Sequence, residues 1–191
     1  SMERTLEQHT VADAFEVIAS FREAYPDNIL QIMTYFEIAD YMGIDTFADA
    51  CAKAGVDAVL SPNTPLERIA DLDAALGKLD IINLRFAPYH LTETVEHDLI
   101  EHARGYIFQQ AVDGETGPQK MVSPQIGINV RRLKALGITT PVIAGFGISN
   151  ASQVKEVCSM GADGVVVGSS ILRALEDGIG EEFIKSLRNV L

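Results

Sequence analysis

The sequence predicts an α/β fold in which helices cover a sheet of parallel strands. Six short apolar segments alternate with amphipathic helices along the 191 residues. These segments are apolar on both faces, as in a parallel sheet that is buried on both sides. No linker-like or low-complexity stretch interrupts the alternation, so residues 1–191 are expected to form one domain. Two architectures fit, an open doubly wound sheet and an eight-stranded (β/α)8 barrel.

Apolar periodicity and local stop signals define each predicted element. The strands are expected at residues 29–35, 57–62, 81–87, 105–112, 141–146 and 164–167. The helices are expected at residues 11–25, 45–54, 66–76, 92–103, 124–136, 149–160 and 171–191, with a break in the last one near residues 178–180. Thr10 is the expected N-cap of the first helix, and Asn150 with Gln153 is an expected capping box. Four glycines are expected to end the helices that precede them: Gly55, Gly77, Gly137 and Gly161. Expected core residues on the first and last helices are Phe15, Phe21, Phe183 and Leu187.

The composition limits the classes of partner. Apolar residues make up 47% of the chain, which is enough for a sizeable core, and the net charge of −12 disfavours nucleic acid and anionic membranes as partners. No apolar run approaches the ~18 residues that a membrane-spanning helix needs. Cys51 and Cys158 match no metal or redox spacing, so both are expected to be reduced core thiols, as in a cytoplasmic protein.

Glycine-rich turns follow three of the last predicted strands. They are Gly114-Glu115-Thr116-Gly117, Gly145-Phe146-Gly147 and Gly168-Ser169-Ser170. Glycine lets backbone N–H groups approach a ligand closely, and the N–H groups at the start of a helix attract phosphate. In (β/α)8 barrels the loops after the last two strands and a short helix N-terminus form the recurrent phosphate site. The sequence therefore predicts phosphate binding at these turns.

Three long segments carry a family resemblance. They are PVIAGFGISNASQVKEVCSMGADGVVVGSSIL, MTYFEIADYMGIDTFADACAKAGVDAVLSPNTP and RGYIFQQAVDGETGPQ. Together they resemble the tryptophan synthase alpha subunit family over essentially the whole chain. The resemblance implies a (β/α)8 barrel that cleaves indole-3-glycerol phosphate to indole and glyceraldehyde 3-phosphate. It also implies a heterotetramer with a beta subunit that carries pyridoxal phosphate, and no cofactor in this chain.

The resemblance also implies site residues. The substrate phosphate is expected at backbone groups of Gly117, Gly147, Gly168 and Ser169. The indole pocket is expected near Tyr35, Phe108 and Phe146, and the partner interface at Asn63.

The family's two catalytic carboxylates have no counterpart in this sequence, so the catalytic residues stay unassigned. In the family they are a glutamate at the end of the second strand and an aspartate in the following loop. The helix predicted at residues 11–25 matches the family's second helix, so the chain is expected to cover about six of eight βα units. Three interpretations follow: upstream residues that this sequence lacks, a truncated chain, or a degenerate relative that kept phosphate binding.

Five positions depart from the family pattern. Phe108 stands where the family usually has tyrosine, and Ala111-Val112 where it usually has Ser-Arg. Asn63 stands where the family has an aspartate that is associated with communication to the beta subunit. Glu37 stands where the family often has asparagine.

Other candidates for chemistry are weaker. Three carboxylates fall at strand ends or in adjoining loops, where ordinary surface roles are the favoured interpretation: Glu37, Asp113 and Glu115. Three histidines lie in or near one helix that is expected outside the barrel, which disfavours a metal site: His90, His97 and His102. No predicted strand contains lysine, which argues against a Schiff-base aldolase.

Two alternatives to the lyase stay open. One is a catalytically defective alpha-like module that binds and modulates a beta subunit. The other is a different phosphate-binding barrel enzyme, such as a phosphosugar isomerase or synthase.

Overall fold

A computed structural model describes residues 10–112 and 122–190 as alternating strands and helices. The chain divides into two compact units, Ser1–Leu84 and Arg85–Leu191. The strands within the described ranges are β1 (Gln31–Met33), β2 (Ala58–Leu60), β3 (Ile82–Ala87), β4 (Ile107–Gln110), β5 (Val142–Gly145) and β6 (Gly164–Val166). The helices there are α1 (Val11–Ala24), α2 (Phe36–Met42), α3 (Ile44–Lys53), α4 (Leu66–Gly77), α5 (Glu93–His102), α6 (Gln125–Ala135), α7 (Ala151–Ser159), α8 (Ser169–Glu176) and α9 (Gly180–Arg188).

Every strand pairs in parallel with the next strand along the chain. In the first unit β1 pairs with β2, and β2 pairs with the start of β3, where Leu60 lies opposite Leu84. In the second unit the end of β3 pairs with β4, β4 with β5 and β5 with β6. This register confirms the predicted α/β pattern of parallel strands joined by helices.

The core of the first unit lies between β2 and the helices α3 and α4. Phe47, Val59 and Leu72 are fully buried there, and the ring of Phe15 meets the ring of Phe47 edge-on at a centroid distance of 6.2 Å. The prediction that Phe21 belongs to this core is wrong. Its side chain is 40% exposed and packs on Tyr25, because it lies on the outer face of α1.

The core of the second unit surrounds β4 and β5. Its fully buried members include Ile107, Leu133, Val142 and Val154, and Leu187 of α9 packs against them. Phe183 joins the same core from α9, as expected. The apolar faces of α6, α7 and α9 are therefore satisfied within this unit.

The two cysteines are free thiols in different surroundings. Cys51 is fully buried in the first unit, and desolvation raises the pKa of its thiol to about 12. Cys158 is half-buried, and burial first and the nearby Asp163 second raise the pKa of its thiol. Cys51 is the core thiol that the sequence predicted, whereas Cys158 lies at the margin of a core.

Side chains cap the first and seventh helices differently. Asp13 N–H donates to Thr10 Oγ1 (3.2 Å) and Thr10 N–H donates to Asp13 Oδ2 (2.6 Å), which completes a reciprocal capping box. At α7, Gln153 N–H donates to Asn150 Oδ1 (3.0 Å), but Gln153 Oε1 accepts the N–H of Ser149 (2.8 Å). The second hydrogen bond of the predicted capping box at α7 therefore comes from the N–H of Ser149, one residue before the N-cap Asn150.

Three of the four glycines predicted to end helices take the left-handed conformation. Gly55, Gly137 and Gly161 have φ values of +75°, +86° and +104°, in the region that disfavours side chains. Gly77 is the last residue of α4, so the helix ends where predicted, but the left-handed conformation falls on Asp80 with φ +59°. Asparagine and aspartate tolerate this region better than most residues.

The helix α2 is a separate short helix that the sequence patterns did not predict, and it ends at Gly43. The predicted break in the last helix is confirmed, because α8 and α9 are separated around Gly178 with φ +74°. Within residues 10–112 and 122–190, no helix has the length and apolar character to cross a membrane.

Replacing Leu133 by alanine is expected to lower the free energy of unfolding by about 2–5 kcal/mol, because its side chain is fully buried. Leu136 directly follows the same helix but is 42% exposed. Leu136→Ala is therefore expected to cost about 0.5 kcal/mol or less. Urea unfolding followed by circular dichroism measures both, and equal losses would contradict the assignment of Leu133 to the core.

Candidate active site

The turn after β5 has an unusual backbone. Phe146 and Gly147 both have positive φ values, +72° and +77°. Glycine adopts this conformation freely, but an aromatic residue does so only where the surroundings impose it. Backbone strain of this kind concentrates at ligand-binding positions. The turn therefore supports a role for Gly147 in binding, and the strain at Phe146 is a feature that the sequence did not reveal.

The helix α8 begins directly after the turn that follows β6. Gly168 is its N-cap and Ser169 its first residue, as the sequence predicted. Gly168 O accepts the N–H groups of Ile171 (2.9 Å) and Leu172 (3.2 Å), so the helical hydrogen bonds start there. The N–H groups at the start of a helix have no partner within it, and both Gly168 and Ser169 are exposed. These donors are available to an anion.

A depression of about 280 Å³ lies beside the start of α8. Ser149, Ser170, Arg173 and Asp177 contribute its polar wall, and Ile179 with Phe183 contributes apolar surface. Arg173 brings a positive charge to this depression, which the carboxylate of Asp177 also lines, in a chain whose net charge is −12. Arg173 was not among the residues predicted from the sequence. Its position four residues after Ser169, on the same helix face, was the available signal.

Three phenylalanines form an aromatic cluster next to the β5 turn. The ring centroid of Phe108 lies 5.1 Å from that of Phe146 and 5.9 Å from that of Phe86, and Phe86 and Phe146 are 6.4 Å apart. Phe108 is only 1% exposed and is the buried member of the cluster, whereas Phe86 and Phe146 are half-buried. The sequence predicted Phe108 and Phe146 together and missed Phe86. Phe86 lies directly opposite Phe108 in the β3–β4 register.

A polar network connects the ends of β3 and β4 with the start of α6. Tyr89 N–H donates to Gln110 Oε1 (3.0 Å), and the Tyr89 hydroxyl pairs with Ser123 Oγ at 2.8 Å. Asn129 Nδ2 donates to Tyr89 O (2.9 Å), and Gln125 Nε2 donates to Asn129 Oδ1 (2.8 Å). Ser123 also lines a cavity of about 10 Å³ with Phe146 and Gly147, large enough for about one water molecule. The network joins the loop after β3 to the end of β4 and to the start of α6, beside the β5 turn.

Tyr35 and Asn63 lie in the first unit. Tyr35 is the N-cap of α2, and its side chain is 57% exposed. Asn63 lies in the loop after β2, and its Oδ1 accepts the N–H of Phe36 at 2.8 Å. Asn63 therefore caps α2 from a distant part of the chain.

Asn63 also binds the carboxylate of Glu37. Its Nδ2 lies 3.0 Å from Oε1 and 2.8 Å from Oε2 of Glu37. This hydrogen bond, followed by a backbone hydrogen bond at Glu37, lowers the pKa of the Glu37 carboxyl. Glu37 lies in the first turn of α2 rather than at a strand end or in a loop, so the expected position is wrong for this residue.

The remaining sequence candidates have simple positions. Gly117, Asp113 and Glu115 lie outside the described residues. His97 Nε2 is 3.4 Å from Glu101 Oε1 on the exposed face of α5, and the ring of His90 packs edge-on against Tyr89. Among the residues that the structure describes, no cluster of three metal-binding side chains occurs.

The parallel strands, the helices between them and the turns that follow β5 and β6 define a protein of the (β/α)8-barrel class. A profile of the family "Tryptophan synthase alpha chain" matches residues 1–190. The chain belongs to the tryptophan synthase alpha chain family. The predicted barrel with about six βα units is thereby confirmed, and the open doubly wound sheet is ruled out.

Individual relatives agree with this assignment. The tryptophan synthase alpha chain of Erwinia tasmaniensis is 30% identical over 172 residues, which are 90% of this chain and 64% of that protein. The protein of the same name from Edwardsiella ictaluri is 32% identical over 158 residues, 83% of this chain and 59% of that protein. The chain thus spans less than two thirds of the length of these curated relatives.

A solved structure shares the fold. It belongs to work on mutual activation in the tryptophan synthase α2β2 complex of Pyrococcus furiosus. The two chains superpose with a TM-score of 0.82 at 20% identity, over 95% of this chain and 75% of that one.

Replacing Gly145 by alanine is expected to lower the free energy of unfolding by about 1–3 kcal/mol, because the new methyl group overpacks the aromatic cluster. Its Cβ would lie 2.6 Å from Cε2 of Phe108, so the buried ring must move. Gly168→Ala is the control, since no heavy atom lies within 4 Å of its added Cβ. Near-ultraviolet circular dichroism and urea unfolding detect the change. Equal stability of the two variants would contradict the tight packing of Phe108 on Gly145.

Replacing Asn63 by aspartate is expected to reverse the pH dependence of stability at α2. In the natural protein the lowered pKa of Glu37 means that its stabilising effect is present above the ordinary carboxyl pKa. That effect is lost as the pH falls from about 4.5 through the lowered folded value. In Asn63→Asp two carboxylates would face each other, so stability is expected to rise as the pH falls and one of them takes up a proton.

The double variant Glu37→Gln with Asn63→Asp is the matched control. It restores an amide opposite a carboxylate and keeps the acceptor for the Phe36 N–H. Its melting temperature at pH 7 is expected to return close to that of the natural protein. Thermal unfolding between pH 4 and pH 8 measures all three proteins, and the same pH profile for Asn63→Asp and the natural protein would refute the Glu37 contact.

Proposed function

We propose that the protein acts as a tryptophan synthase alpha subunit and cleaves indole-3-glycerol phosphate to indole and glyceraldehyde 3-phosphate. The observation that carries this proposal is the pair of anion-binding features beside an aromatic cluster. The strained Phe146–Gly147 turn and the start of α8 at Gly168 and Ser169 provide donors for a phosphate. Phe86 and Phe146 provide half-buried rings for an aromatic group.

The substrate's two ends match these features. The phosphate would accept hydrogen bonds from the backbone of Gly147, Gly168 and Ser169, and Gly117 would add a fourth contact. The helix dipole of α8 favours a negative charge at its start. The indole ring would pack against Phe86 and Phe146, with Phe108 beneath them. Binding at both ends would hold the bond between ring and glycerol chain in a fixed position.

The reaction is a carbon–carbon cleavage with two proton movements. The bond between the ring carbon and the glycerol chain breaks, and the hydroxyl on the adjoining chain carbon loses its proton as the carbonyl forms. The ring carbon takes up a proton, so the products together contain all the atoms of the substrate. Carboxylates perform such transfers by general acid–base catalysis. The residues named here bind and orient the substrate, and they are not proposed as the acid or base.

The proposed partner is a tryptophan synthase beta subunit. The relative of known structure from Pyrococcus furiosus belongs to an α2β2 complex, and Asn63 of this chain lies in an exposed loop after β2. Pyridoxal phosphate would be bound by the partner, with no cofactor in the alpha subunit. The proposed location is the cytoplasm.

Indole release from indole-3-glycerol phosphate, measured with and without a beta subunit, tests the function. Gly147→Ala is expected to raise KM by about tenfold or more, because a side chain at φ +77° distorts the turn that donates to phosphate. Gly137→Ala is the matched control. Gly137 has φ +86° and an equal backbone penalty, but it ends α6 away from the turn, so its KM is expected to change less than about twofold.

The outcomes separate the proposal from its alternatives. Absence of indole under both conditions, with altered beta-subunit turnover, would replace the lyase by the non-enzymatic modulating module. Binding of many phosphate esters without preference for an aromatic group would favour another barrel enzyme. Equal effects of Gly147→Ala and Gly137→Ala would contradict phosphate binding at the β5 turn.

A further inference from the structure

The depression beside the start of α8 carries two side chains of opposite charge. Arg173 and Asp177 both line it, together with Ser149 and Ser170. Both charged side chains are exposed, and among the residues that the structure describes neither takes part in a salt bridge or a side-chain hydrogen bond. The two residues are four apart on one helix, a spacing at which opposite charges often pair. The depression therefore presents a cation and an anion that do not neutralise each other.

The chain reversal after α8 fixes the shape of the depression. Gly178 has φ +74°, and its N–H donates to Leu175 O (3.1 Å). Ile179 N–H donates to Ala174 O (2.9 Å), which completes the pair of hydrogen bonds that commonly ends a helix at a left-handed glycine. Phe183 N–H then donates to Ile179 O (2.9 Å) at the start of α9. The apolar wall that Ile179 and Phe183 provide is thus held by backbone hydrogen bonds.

The dipole of α8 gives the two ends of the depression different preferences. Ser170 is the second residue of α8, where the positive end of the helix dipole favours an anion. Asp177 is the C-cap, where the negative end favours a cation. An anionic group therefore gains from the helix start and from Arg173, whereas a cationic group gains from the helix end and from Asp177.

We propose that this depression binds a free α-amino acid with an apolar side chain. The ligand carboxylate pairs with Arg173, its ammonium group pairs with Asp177, and its side chain packs on Ile179 and Phe183. Four residues of helix rise by about 6 Å. A ligand with both charges on one carbon atom spans that distance with a hydrogen bond of about 2.8 Å on each side.

The size and charge of the depression disfavour other occupants. Its volume of about 280 Å³ lies just below the ~300–1,000 Å³ that is usual for larger ligands, as suits a single amino acid. A lone anion would meet Asp177 and a lone cation would meet Arg173, and such like-charge contacts are unfavourable. The residues of the phosphate turns, Gly147, Gly168 and Ser169, are not among those that line the depression. The inference is therefore independent of the proposed lyase function.

Titration with L-phenylalanine, followed by isothermal titration calorimetry and heteronuclear NMR, tests the inference. Arg173→Gln and Asp177→Asn are each expected to weaken binding by about tenfold, because each removes a charge-assisted hydrogen bond. Arg188→Gln and Glu176→Gln are the matched controls, since both residues are exposed in the same unit and do not line the depression. Each control is expected to change the affinity by less than about twofold.

Two analogues separate the charges of the ligand. Phenylpropionate lacks the ammonium group and phenylethylamine lacks the carboxylate, so each is expected to bind about tenfold more weakly than L-phenylalanine. Arg173→Gln is expected to weaken binding of the acid further and to leave that of the amine unchanged, and Asp177→Asn is expected to do the reverse. A purely structural effect of either substitution would weaken both analogues alike.

Far-ultraviolet circular dichroism of each variant verifies that α8 remains folded. Binding of L-phenylalanine that withstands both substitutions, or that the controls weaken equally, would overturn the inference. The absence of any heat or spectral change on titration of the natural protein would overturn it as well. These results would leave the lyase proposal in place, since indole release depends on the phosphate turns and the aromatic cluster.

Discussion

The structure depends on a clamp that two aspartates make at the start of their strands. Asp57 N–H donates to Leu30 O (2.8 Å) and Leu30 N–H donates to Asp57 Oδ2 (2.7 Å). In the second unit Asp163 N–H donates to Val142 O (2.8 Å) and Val142 N–H donates to Asp163 Oδ2 (2.8 Å). Each aspartate also binds a cation from a preceding helix, Arg22 of α1 or Lys134 of α6. The same chemistry thus fixes helix, strand and neighbouring strand together.

This clamp sets the register on which the candidate site depends. A left-handed glycine two residues earlier, Gly55 or Gly161, turns the chain from helix to strand so that the aspartate meets its partner. A slip by one residue would reverse the faces of every side chain in the strand. With the register fixed, β5 and β6 end side by side, Gly145 opposite Val166, and their turns open at the same edge. The strained conformation of Phe146 is then sustained by its packing on Phe86 and Phe108.

Local chemistry explains what the sequence could and could not predict. All six described strands and most helices followed from apolar periodicity, and Gly147, Gly168 and Ser169 followed from turn chemistry and the helix start. The helix α2 is too short to show apolar periodicity, and Asn63, 27 residues away from Phe36, caps its N-terminus. No local sequence pattern therefore predicts it. Gly77 marks the end of α4 as predicted, but Asp80 rather than the glycine takes the left-handed conformation. The positions of Phe86 and of the Tyr89 network depend on strand register and on contacts between separate elements. Patterns within a short stretch of sequence do not predict such contacts.

Two of the departures from the family pattern, Glu37 and Asn63, have to be interpreted together. In sequence, Glu37 in place of asparagine and Asn63 in place of aspartate resemble two independent losses. In the structure the two side chains bind each other, so the two departures concern one contact. Either change alone would leave two amides or two carboxylates in contact, and two carboxylates at this distance repel. Asn63 and Glu37 together supply the hydrogen bonds between them, the cap of α2 and one negative charge. That charge lies on the helix α2 rather than on the loop after β2, and the position of a surface charge affects which partner it can select.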